Sequence, residues 1–396
     1  MKHGSISGEG DPAMSDLDTV LDDAVAANDV PFLVAMSGSS SSITWSGAAG
    51  ERSPGASATV DTVFRLFSMT KAIGSTAAMI LIDRGMLSMD TPVIEVIPEF
   101  AGIRLLEGFD TDGAPLLRAP GRQVTVRHLA THTSGFVYEF WNTDMPKYLA
   151  ATGHPTILSG LKASLSYPLL FEPGERWDYG IGIDWLGQIV EAIDGRRVDT
   201  FCREEIFGPL GMVDSDFEPS ERLAPRLAAV KIRGEDGSFA DFSIAPPPNP
   251  EVYGMGHHIY STAPDYMRFL RMLLNKGQLD GNRVLSEAAV AAMLANQIGD
   301  LRVGKLVSIA PALTADAEFY PGVPKTHSFG FVRVEEDVPG RCSAGSQIWA
   351  GVLNMHYWLD PARDVAAVIM TQSLPFVEPR FMQVYERYER AVYAGM

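Results

Sequence analysis

The sequence predicts an α+β fold, an antiparallel sheet of five or more strands flanked by the terminal helices, with a mostly helical middle region. Three observations predict it. β-branched and aromatic runs cluster at the two ends of the chain, helical periodicity fills the middle, and an amphipathic stretch lies at each terminus. The expected boundaries are a disordered leader at 1–15, a sheet domain from 16–85 and 300–396, and the helical region at 86–299.

Taken in order, Ser15 can cap a first helix whose apolar face is Leu17, Val20, Leu21, Ala24 and Val25, ended by Pro31. Phe32–Met36 and Ile43–Trp45 read as two strands joined by a Ser/Gly turn. Ser68 then precedes a helical segment with Ile73, Ala77, Ile80 and Leu81 in register and Gly85 as its stop. Further helices are expected between Pro155 and Pro173, from Asp184 to Ile193, and from Thr262, where Pro264 suits a first turn. Phe329–Val334, Val352–Leu359 and Val365–Thr371 read as C-terminal strands, and 378–393 as a final amphipathic helix. That last helix packs on the surface and admits a role in a homodimer.

The 396 residues carry 32 basic and 49 acidic side chains, a formal charge of −17, which argues against nucleic acid and anionic membrane as partners. No apolar run approaches ~18 residues, so no span is expected. The polar, Gly-rich start has no signal-like apolar region, which points to the cytoplasm. Two cysteines, Cys202 and Cys342, do not make a disulfide framework, and pairing between them is left open.

The chemistry centres on Ser68-Met69-Thr70-Lys71. If Ser68 opens the helix, Lys71 lies one turn on, on the same face, within reach of the hydroxyl. The helix N-terminus adds positive potential where an alkoxide forms, so a serine is activated without histidine. The spacing recurs at Ser159-Gly160-Leu161-Lys162, but without a strand-like approach and with glycine inside the motif. Gly-x-Ser-x-Gly occurs nowhere, which argues against an α/β-hydrolase. His128 and His132 have the i, i+4 spacing of a zinc helix, but Leu129 stands where a zinc protease needs glutamate, so no metal is expected. His257-His258 reads as loop or pocket rim, and Asp178 as a helix cap.

With Tyr179 added, the chain resembles the serine β-lactamase and penicillin-binding-protein fold, most of all the class C branch and, within it, the family VIII carboxylesterases. The likeness runs from about residue 16 to the end. Its supporting motifs are residues 126–135, Phe171-Glu172-Pro173-Gly174, the Tyr179 loop, Ser261-Thr262-Ala263-Pro264-Asp265, and Trp349-Ala350-Gly351. The resemblance implies Ser68 as nucleophile, Lys71 as its partner and Tyr179 as general base. It implies an oxyanion hole from the backbone N–H groups of Ser68 and Val352, and no cofactor. Two departures bear on the substrate. Ile181 replaces the asparagine of Tyr-x-Asn, and Trp349 replaces the lysine of Lys-Thr-Gly, which removes groups that would hold a β-lactam.

The expected reaction is hydrolysis of small, short-chain esters through an acyl-enzyme on Ser68. Trp349, Gly351, Phe136, Tyr138, Trp141 and Ile181 are expected at the substrate, with Phe140 beside them. Tyrosine titrates near ~10, so a basic Tyr179 calls for the Lys71 ammonium and predicts a mildly alkaline optimum. The alternatives are a β-lactamase or D-Ala-D-Ala peptidase activity, a transacylase, and a non-catalytic binding domain.

Overall fold

The computed structural model describes residues 12–396. Most of the expected leader lies outside the described residues. Its last part is already helical, because the first helix, Pro12–Ala26, starts three residues before Ser15. The main sheet has eight strands: β1 (Phe32–Gly38), β2 (Ile43–Ser53), β3 (Ala56–Ser57), β4 (Lys325–His327), β5 (Val332–Val334), β6 (Gln347–Gly351), β7 (Met355–Asp360) and β8 (Val365–Met370). Their spatial order is β4-β5-β6-β7-β8-β1-β2-β3, antiparallel throughout. The pairing of β1 with β8, Val34 opposite Met370 through Gly38 opposite Ala366, joins the two ends of the chain.

Strands β1, β6, β7 and β8 are buried at every residue, so both faces of the sheet are covered. Neighbouring residues of a strand point to opposite faces, and β7 displays this. Trp358 meets Tyr385, Tyr388 and Tyr393 of the C-terminal helix Pro379–Ala394. Tyr357, next to it, packs on Tyr266 of the helix Ala263–Leu274 on the other face. The terminal helices thus cover one face, and the helix Ala263–Leu274 lies against the other.

Several expected boundaries move. Strands β3, β4 and β6 enlarge the expected five. The strand expected from Val352 begins at Met355, because Asn354, at φ 61°, closes a turn onto the carbonyl of Gly351. Val352 therefore lies in the turn that leaves β6. The helix expected between Pro155 and Pro173 is two short 3-10 turns, Ile157–Ser159 and Lys162–Leu165, separated by left-handed Gly160. The middle region also holds three hairpins, Leu105–Phe109 with Pro115–Arg118, Val230–Arg233 with Phe239–Phe242 and the short Gln278–Leu279 with Asn282–Arg283. Cys202 and Cys342 are buried and unpaired. No described helix is long and apolar enough to cross a membrane.

Candidate active site

Ser68 stands at an abrupt change of backbone. The short strand Phe64–Arg65 pairs with Tyr260–Ser261 and delivers the chain to Phe67, whose φ of 43° is a left-handed value that costs a non-glycine residue ~1–3 kcal/mol. Phe67–Met69 then forms a 3-10 turn, and the helix Thr70–Asp83 follows directly. Ser68 thus sits in the turn before the helix rather than in its first residue. Every helix residue from Thr70 to Leu81 is buried, whereas Ser68 is only half-buried. The segment is core that surfaces at one hydroxyl.

Lys71 is buried and uses all three ammonium protons: Ser68 Oγ at 3.1 Å, Tyr138 OH at 3.0 Å and the Gly256 carbonyl at 2.9 Å. Tyr179 comes from the loop ahead of the helix Gly182–Asp194 and donates its hydroxyl to Ser68 Oγ at 2.6 Å. The Lys71 ammonium lies 4.9 Å from the centre of the Tyr179 ring. The indole N–H of Trp349, on β6, donates to the Tyr179 oxygen at 3.2 Å. The structure therefore brings Ser68, Lys71, Tyr179 and Trp349 into one hydrogen-bonded cluster.

Two tyrosines flank Lys71, and they differ. Burial first, then Asp184 and Tyr179, push the Tyr138 phenol well above its usual value, so it stays protonated. It reaches Lys71, while Tyr179 reaches the serine itself. Behind Tyr179 lies His132, with ring centres 4.8 Å apart. Burial first, then His327 and Lys71, hold its imidazole well below the ordinary value and keep it neutral.

Gly351 ends β6 directly beside the serine turn. A Cβ there would lie 2.7 Å from Met355 Cε and closer still to the Leu66 carbonyl oxygen, so only glycine permits this approach. The next residue, Val352, lines two cavities together with Ser68 and Phe140. The larger, about 400 Å³, has mostly apolar walls that include Phe67, Ile157, Leu158, Ile309 and Leu313, with Glu139 and His257 among its polar members. The smaller, about 20 Å³, is bounded by Trp141, Tyr179, Trp349 and Phe376.

The other residues expected at the substrate are distributed unevenly. Tyr138 lines the larger cavity, and Trp141 and Trp349 line the smaller one. Phe136 is core, edge-on to Phe100, and Ile181 is fully buried ahead of the helix Gly182–Asp194; neither lines these cavities. Asp178 caps no helix, since the next one begins at Gly182; its carboxylate lies 3.8 Å from Arg176. His128 belongs to a capping box with Thr125, its Nδ1 accepting the Thr125 N–H. Ser159 lies in its 3-10 turn, where its hydroxyl accepts the Leu161 N–H.

Two features went unread in the sequence. Tyr138 was expected to touch substrate but holds the lysine as well. The carbonyl of Gly256 takes a Lys71 proton, and carbonyls carry no residue-type signal. The glycines of Gly254-Met255-Gly256 were the available hint of a close backbone approach.

Comparison with known proteins identifies the family. The family model described as Beta-lactamase matches residues 17–390. A lovastatin esterase of Penicillium rubens is 30% identical over 338 residues, 82% of each chain. A monacolin J acid methylbutanoyltransferase of Aspergillus terreus is 28% identical over 347 residues, 85% of this chain and 83% of that one. A mutant simvastatin synthase from Aspergillus terreus superposes with a TM-score of 0.83 at 26% identity, covering 96% of this chain and 95% of the other. A match over nearly the whole sheet and middle region, with a serine-lysine-tyrosine cluster at their junction, places this chain in the Beta-lactamase family.

Proposed function

We propose that this protein is a serine carboxylesterase that cleaves small, short-chain esters through an acyl-enzyme on Ser68. The observation that carries the reading is the double approach to one half-buried hydroxyl, Tyr179 OH at 2.6 Å and Lys71 Nζ at 3.1 Å. In the first step Ser68 Oγ bonds to the ester carbonyl carbon as its proton passes to the Tyr179 oxygen. The Tyr179 oxygen accepts the Trp349 N–H, and the Lys71 ammonium lies 4.9 Å from the centre of the Tyr179 ring, so positive charge stands beside the group that receives the proton. The tetrahedral oxyanion is received by the N–H groups of Ser68 and Val352. The C–O bond to the alcohol then breaks, and the proton moves from Tyr179 to the departing oxygen. Water repeats the sequence in reverse, and the acid leaves.

A second reading is supported by the larger cavity. About 400 Å³ of mainly apolar space opens on Ser68, enough for a bulky alcohol to take water's place as acyl acceptor. The relatives include both an esterase and a methylbutanoyltransferase. Hydrolysis and transfer then differ only in which hydroxyl attacks the acyl-enzyme. β-Lactam turnover ranks below both, because Trp349 stands at the position of the lysine that would meet a substrate carboxylate.

The test is a panel of p-nitrophenyl esters, from acetate to decanoate, set against a chromogenic cephalosporin. Faster turnover of short esters is expected, with added alcohol raising p-nitrophenol release if transfer competes. Faster cephalosporin than ester turnover would overturn the proposal.

A further inference from the structure

Lys71 is a buried cation that forms no ion pair among the described residues; its partners are two hydroxyls and one carbonyl. Buried charges are ordinarily compensated, and a hydroxyl or carbonyl does so only in part. The carbonyl belongs to Gly256. The N–H of the same residue donates to Asp184 Oδ1 at 2.9 Å. Asp184 is 1% exposed and lies in the first turn of the helix Gly182–Asp194, where the positive end of the helix favours a carboxylate.

The loop is built around this carboxylate. A Cβ at Gly256 would lie 2.5 Å from Asp184 Oδ2, and one at Gly254 would meet the His257 ring and lie 2.6 Å from Asp184 Oδ1, so the carboxylate excludes a side chain at Gly256 and, together with His257, at Gly254. His257 Nδ1 stands 3.4 Å from Oδ1. Burial alone would raise the Asp184 carboxyl, but His257, Lys71 and the Gly256 N–H together outweigh it and hold it below the ordinary value. Asp184 is therefore a buried anion, one residue's backbone away from the buried cation that contacts the nucleophile.

We propose that Asp184 is a positioning residue for acyl transfer: it anchors Gly256, whose carbonyl holds the Lys71 ammonium against Ser68. This rests on the serine-esterase reading. Without the anchor, the 254–257 loop loses the group it wraps around, and the carbonyl end of the Lys71 tripod drifts. Displacement of a catalytic group by ~1 Å is enough to cost about 100-fold in rate.

The experiment uses the full chain and two reagents. Hydrolysis of p-nitrophenyl butyrate gives kcat and KM. Diethyl p-nitrophenyl phosphate reports the nucleophile alone, since Ser68 Oγ bonds to phosphorus and one p-nitrophenolate leaves per site. Asp184→Ala is expected to lower kcat and the phosphorylation rate by about 100-fold, with KM within about threefold. Asp184→Asn, which keeps an oxygen for the Gly256 N–H, is expected to recover about tenfold of that loss. Leu186→Ala, a buried change in the same helix, controls for stability and is expected to lower the melting temperature without lowering kcat in the folded protein. A folded Asp184→Ala with kcat within threefold of wild type overturns the inference, and so does an equal loss of kcat in Leu186→Ala. Wild-type protein inert to both reagents would instead remove the serine-esterase reading on which it stands.

Discussion

Replacing Gly351 with alanine tests whether the edge of β6 supplies half of the oxyanion site. The new methyl would lie 2.7 Å from Met355 Cε and nearer still to the Leu66 carbonyl oxygen, whereas real Cβ atoms essentially never come within 3.0 Å of another heavy atom. Met355 is flexible and can turn aside. Leu66 cannot, because its carbonyl already accepts the Met69 N–H that closes the serine turn. The strand end must retreat by about half an ångström or more, and the N–H of Val352 moves with it. Complete loss of one oxyanion donor costs ~3 kcal/mol, so a displaced donor should cost ~1.5–3 kcal/mol, or about 10- to 100-fold in kcat. The assay is kcat and KM on p-nitrophenyl butyrate beside a thermal melt. The expected result is a fall in kcat that exceeds any change in KM, in protein that still melts cooperatively. A folded variant with kcat within threefold of wild type would refute the assignment of Val352.

Other outcomes follow from the same geometry. Ser68→Ala should abolish ester hydrolysis and organophosphate labelling while Ser159→Ala leaves both unchanged; the reverse pattern would mean that the nucleophile is misassigned. Trp349→Phe keeps an aromatic wall but removes the N–H donated to Tyr179, and should lower kcat about tenfold with little change in stability, read by steady-state kinetics. Acid stability should depend on His356, which lies among the rings of Phe319, Phe376, Phe381 and Tyr385. Burial holds its imidazole down to about 3. Below pH ~6.5 the unfolded chain takes up this proton and the native protein does not, so stability falls as pH drops through that window. Asp265, pushed up to about 6 by burial, works in the opposite direction. His356→Phe should therefore spare about 2 kcal/mol of the loss between pH 7 and 4.5, measured by urea titration at the two pH values; an unchanged slope would count against it.

The fold was legible wherever local pattern and burial coincide. Val365–Met370 and Phe32–Gly38 are short apolar runs bounded by turn residues, and they pair at the centre of the sheet. The helix Ala263–Leu274 announced itself through Thr262, Pro264 and a regular apolar face. Reading failed where structure depends on what lies across space. Lys325–His327 and Ala56–Ser57 are too short to show alternation and exist because neighbouring strands accept them. The stretch 155–173 has helical composition, but Gly160 in the left-handed region breaks it into single turns. Ile181 occupies a motif position that suggests substrate, yet its side chain turns into the core.

The sequence by itself pointed to the candidate reacting groups and their order: a serine, a lysine one turn later, a tyrosine ahead of a helix, and a tryptophan on a late strand. Covalent spacing and helical periodicity are enough for Ser68 and Lys71, neighbours on one stretch of backbone, whereas Tyr179 and Trp349 came with the resemblance to the β-lactamase fold. The tertiary structure alone decided how they work together. It turned Trp349 from a wall into a hydrogen-bond donor to Tyr179 and ran Lys71 through the Gly256 carbonyl toward Asp184. These contacts join residues 72 to 185 positions apart, and their directions follow from sheet register and helix packing, which no local pattern encodes.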